Sequence, residues 1–179
     1  MLFEFIAAVV SAVAVAGIAM TLRFITRYRL PKWIVPASAG LGMLSYTIWS
    51  EYSWFDRVTQ AMPPEVTVAW SNGAEDFWRP WSYYKPVINR FTAVDMRTAQ
   101  THPNHPGQVM VDLVLAARWQ QSARLKVVFD CPGARRADLL GSDVSVADDG
   151  TITGADWINV GPDDPTLRAA CAGQAGTST

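Results

Sequence analysis

His102 and His105, the only histidines of the chain, stand three apart in "HPNHP". Two imidazoles at that spacing offer one face of a metal site, half of what tetrahedral zinc demands. No carboxylate lies within the loop to complete the set, so the pair reads as solvated turn residues. Cys131 and Cys171 are the only thiols. Their wide separation is a weak match for zinc spacing, and a catalytic thiol needs a basic neighbour that sequence does not locate. In an oxidising compartment the economical reading is one disulfide. Asp95 and Asp130 become acid–base candidates only if a cleft brings a histidine to them. Asp148, Asp149, Thr151 and Asp156 make an acidic hairpin, but the spacing departs from the D-x-D-x-D-G calcium loop. Serine elbows, phosphate-cradling glycine loops and H-E-x-x-H helices do not occur. The expectation is therefore no enzyme, no metal and no cofactor.

Residues 75–86, "EDFWRPWSYYKP", carry the other chemistry-bearing cluster: Phe77, Trp78, Trp81, Tyr83 and Tyr84 around Arg79. Such a stretch suits lipid anchoring, packing under a sheet, or docking to another protein. Tryptophan, tyrosine and arginine are enriched in protein–protein hot spots. Pro80 and Pro86 stiffen the segment, which lowers the entropy lost on docking. Trp49, Tyr52, Trp54 and Phe55 form a second aromatic group, of the kind found at membrane–water interfaces.

The elements that must position these residues begin with two apolar stretches. Residues 2–22 hold one charge, Glu4, and reach about 31 Å as a helix, enough for a hydrocarbon core of about 30 Å. Positive charge follows this stretch rather than preceding it, which favours an uncleaved anchor over a signal peptide. Residues 33–50 are uncharged and form the expected second span. Ala8, Ala12 and Ala16 in the first stretch, with Ser38 and Gly42 in the second, make small-residue stripes suited to close helix packing. Arg23, Arg27, Arg29 and Lys32 fill the connection at 23–32, which no acid enters. The positive-inside rule then puts that loop in the cytoplasm and both termini outside it.

Pro63 and Pro64 mark a linker at 56–65, and the chain beyond it reads as β-rich. "EVTVAW", "KPVINRFTAVDM", "QVMVDLVLAARW" and "ARLKVVFDC" are the expected strands. "THPNHPG" at 101–107 is turn chemistry, and "GARRAD" at 133–138 reads as a solvated turn with Arg135 and Arg136. Asp149-Gly150 is the tight turn of a further hairpin. Asp163 or Asp164 caps a short helix that has Pro165 in its first turn. Residues 141–143 read as a turn, and the tail 173–179 as disordered.

Asp95 after a first strand, a long hairpin, "FDC" at Asp130 and Cys131, a late "DW" ending in Trp157 and the terminal Cys171 resemble small adhesin-E-like extracytoplasmic domains. The resemblance covers residues 90–171. It implies a disulfide-bearing β domain with a binding role and supplies no catalytic residue. A membrane hairpin departs from that pattern, since such domains are usually secreted or lipid-anchored.

The chain has 179 residues, half of them hydrophobic (50%) and 17% charged, with net charge −1. So small a charge argues against a nucleic-acid partner, which requires a basic excess. The fold expected is an α+β membrane protein: a two-helix transmembrane hairpin at 1–55 and a small antiparallel β domain at 66–172 with one or two short helices. The expected role is a non-catalytic accessory or assembly protein of the bacterial inner membrane. Its partners are the lipid bilayer and a membrane-protein complex, and its β domain lies in the periplasm. A membrane-anchored ligand-binding or sensing domain is the alternative.

Overall fold

The computed structural model describes residues 2–140, 144–147 and 149–172. The expected turn at 141–143, Asp148 and the expected tail at 173–179 lie outside the described residues. The chain divides into two compact units, Met1–Asp56 and Arg57–Thr179.

The first unit holds helix α1, Leu2–Ile25, and most of helix α2, Ile34–Gln60. Helix α1 is long and apolar enough to cross a membrane, with a mean hydropathy of 2.4 over eighteen residues and none of them buried within the chain. It is the one candidate span among the described residues, as an anchor or a signal. The expected second span at 33–50 falls short. Ser38, Ser45, Tyr46, Thr47 and Ser50 dilute its apolar character, and the helix continues through Glu51, Asp56 and Arg57 to Gln60. A transmembrane hairpin and a multi-pass topology are thus not supported by length and apolarity. The linker expected from residue 56 begins as helix for the same reason.

The second unit is a six-stranded antiparallel sheet with spatial order β1-β2-β3-β4-β5-β8. Its strands are β1 Val66–Ser71, β2 Arg90–His102, β3 His105–Ala117, β4 Ala123–Asp130, β5 Arg135–Asp138 and β8 Trp157–Asn159. A separate two-stranded ribbon pairs β6, Ser145–Val146, with β7, Ile152–Thr153. Alternation along β3 sets the faces. Val109, Val111 and Leu113 join Val94, Val127 and Phe129 in the core, against Leu167 and Ala170 of helix α3, Pro165–Ala172. Met110 and Val128, a cross-strand pair, belong to the opposite face.

Two expectations change here. "THPNHPG" is not turn throughout: β2 runs to His102, β3 restarts at His105, and the two histidines are the last pair of the hairpin. "GARRAD" is not a solvated turn, since Arg135–Asp138 forms strand β5 between β4 and β8. Neutralisation makes two adjacent arginines compatible with a strand. Arg135 bonds Asp130 and lies 5.3 Å from the Trp157 ring centroid, while Arg136 pairs with Asp138 at 3.3 Å.

Candidate functional site

The aromatic segment sits in the loop between β1 and β2, and three polar side chains shape it. The Asn72 side-chain amide donates to Asn89 Oδ1 at 2.9 Å, and its Oδ1 accepts from the Arg90 N–H at 2.8 Å. Above this clasp Ala74 and Val87 exchange backbone bonds at 3.0 and 3.1 Å. Ser82 is completely buried at the centre of the loop. Its hydroxyl accepts from the Asp76 N–H at 2.9 Å and donates to the Arg79 carbonyl at 2.7 Å. Pro80 opens the one-turn 3-10 helix Pro80–Tyr83 that carries this serine.

The loop is therefore tied from below while its rings point away from the core. Phe77 is 86% exposed, Trp78 69%, Tyr83 60% and Tyr84 96%. Trp81 is half-buried, and Arg79 lies 3.9 Å from Asp76. The six residues of this expected contact surface thus lie in one tied loop. In the first unit Trp49 is exposed, whereas Tyr52, Trp54 and Phe55 are half-buried.

The small-residue positions lie on the covered sides of their helices. Ala8, Ala12 and Ala16 are half-buried in register with Ser11 and Val15, Ser38 is half-buried, and Gly42 is buried. The Ser11 hydroxyl donates to the Gly42 carbonyl at 3.1 Å. A Cβ at Gly42 would stand 3.0 Å from a Val15 methyl and 3.1 Å from the Ser11 carbonyl oxygen, so glycine permits this approach. Arg27, Arg29 and Lys32 are exposed in the connection. Arg23 turns back to donate to the Leu30 carbonyl at 3.2 Å.

Cys131 and Cys171 form a disulfide with their Cα atoms 6.0 Å apart, joining the end of β4 to α3. Asp164 caps α3. Its Oδ1 accepts from the N–H groups of Thr166 and Leu167, each at 2.9 Å, and from the Thr166 hydroxyl. Burial pushes the Asp164 carboxyl up, but these bonds and the nearby Arg136 charge outweigh it and hold the group below the usual carboxylate range.

The acid–base candidates are each held by an arginine. Asp95, buried at the irregular part of β2, takes two bonds from the Arg97 guanidinium at 2.8 and 2.7 Å, which depress its carboxyl. Asp130 is engaged by Arg135 and by the Gly133 N–H at 3.2 Å. His102 and His105 face each other with ring centroids 6.4 Å apart. Among the described residues no group of three or more histidine, cysteine or acidic side chains is placed to hold a metal. Sequence reasoning found the rings but missed Ser82, Asn72 and Asn89, which hold them. The repeated turn-forming asparagines flanking the segment were the available signal.

Compared with known protein families, curated proteins and solved structures, the chain matches none. The likeness to adhesin-E-like domains rests on its short motifs alone.

Proposed function

We propose that the chain is a non-catalytic accessory or assembly protein of the bacterial inner membrane. In this reading α1 crosses the bilayer and the apolar part of α2 pairs with it through Gly42 to form a hairpin. The basic connection stays in the cytoplasm, and the sheet unit lies in the periplasm, where the disulfide is at home. The protein docks to a larger membrane or periplasmic complex through its helices and the Phe77–Tyr84 surface.

The observation that carries this reading is the tied loop. Four exposed rings stand on a backbone already fixed by Ser82 and Asn72, so a partner burying them loses little conformational entropy. Affinity purification of the full chain in gentle detergent tests it. One stoichiometric partner is expected, lost in a Trp78→Ala/Tyr84→Ala double variant. Recovery as a free monomer in several detergents rejects the reading. A carboxyl-terminal alkaline phosphatase fusion tests the topology, with activity expected and an inactive fusion rejecting it.

A further inference from the structure

A second feature lies on the sheet face opposite α3, where the β6–β7 ribbon and the sheet line a half-open pocket of about 180 Å³. One wall is the cross-strand pair Met110 and Val128. The other is the ribbon's own pair, Val146 and Ile152. Gln100 and Gln108 also line it, each with an amide able to donate and accept.

Among the described residues, the turn of the ribbon meets the end of the β2–β3 hairpin. The Asn104 side-chain amide donates to the Asp149 carbonyl at 3.3 Å, and Asn104 is itself held at the hairpin tip by its N–H, which donates to His102 Nδ1 at 3.2 Å. Gly150, at φ +84°, lies flat against the His102 ring, where an added Cβ would fall 2.6 Å from a ring carbon. With two residues in each strand, the ribbon is too short to be stable alone.

We propose that this pocket is a binding site for a small ring compound bearing one hydrogen-bonding group. An apolar cavity of about 150 Å³ accepts benzene. The slightly larger space here accepts a substituted or bicyclic ring, packed between the two aliphatic pairs with its polar atom toward Gln100 or Gln108. A ring in this position restores the dispersion contacts that the facing walls lack. The site is independent of the docking surface, and no chemical step occurs in it.

Indole titrated into the full chain in lipid nanodiscs tests the proposal, read by methyl NMR of carbon-13-labelled methionine. Met110→Leu assigns the cavity signal, and Met20 and Met43 on the two helices report simple partition into lipid. A saturable Met110 shift is expected, with Ile152→Phe filling the space and weakening binding about tenfold or more. If Ile152→Phe does not fold, Val146→Phe, at a position 47% exposed, fills the same space. A Met110 response that merely tracks Met20 and Met43, or that survives the filling substitution unchanged, overturns the site. None of these outcomes involves a protein partner, so docking stands or falls separately.

Discussion

Asp95 shows how one buried charge is settled by its immediate neighbour. Its side chain is 1% exposed while that of Arg97 is 45% exposed, so the two partners are not equivalent. Removing the arginine strands a buried carboxylate, whereas Asp95→Asn leaves an arginine that reaches water. Arg97→Ala is therefore expected to lower the urea midpoint more than Asp95→Asn, and the reverse order would reject this pairing as a structural device. The same group carries a pH dependence. The Asp95 and Asp164 carboxyls both lie below their unfolded values, so the unfolded chain binds protons that the folded chain refuses. Their contribution is complete above the unfolded pKa of about 4 and is lost as pH falls through the folded values. Urea unfolding is expected to be level from neutral pH to about 5 and to weaken below about 4, with a shallower decline in Asp95→Asn.

At the level of elements, the strands from β1 to β4 and helix α3 were legible because alternation, β-branched residues and the Asp164–Pro165 cap all agree. Strand β5 was not, because Arg135 and Arg136 look like solvated charge until their partners Asp130, Trp157 and Asp138 are placed. The run of α2 past residue 50 was hidden because composition marks where lipid suits a helix, not where its hydrogen bonds stop. The aromatic loop is half legible: its rings are plain, but the buried hydroxyl beneath them is one serine among many. Ser82→Ala leaves the Asp76 N–H without its partner and is expected to cost about 1–2 kcal/mol. Limited proteolysis between residues 76 and 86 checks this, and unchanged protection would remove Ser82 from its role. In the first unit, Gly42→Ile drives new methyl groups into Val15 and Ser11. It is expected to destabilise the helix pair by about 1–3 kcal/mol, measured as loss of detergent resistance.

For the molecule as a whole, the disulfide is the strongest single constraint outside the core. Cys131 and Cys171 are 40 positions apart, and closing a loop of that size restricts the unfolded chain by about 4 kcal/mol in the chain-entropy model. Replacing both with serine should lower stability by that order in denaturant titrations, with α3 the first element to lose hydrogen-exchange protection. An unchanged midpoint would mean that α3 holds its place by packing alone.

The same covalent link also sets a route for mechanical load. Tension applied at the carboxyl end and carried toward the amino-terminal unit crosses from Cys171 directly to Cys131, so β5, the ribbon, β8 and most of α3 hang slack outside the stretched path. Those 40 positions, about 140 Å of extended chain, should be missing from the contour length released in a single-molecule pulling trace and reappear when reductant is added.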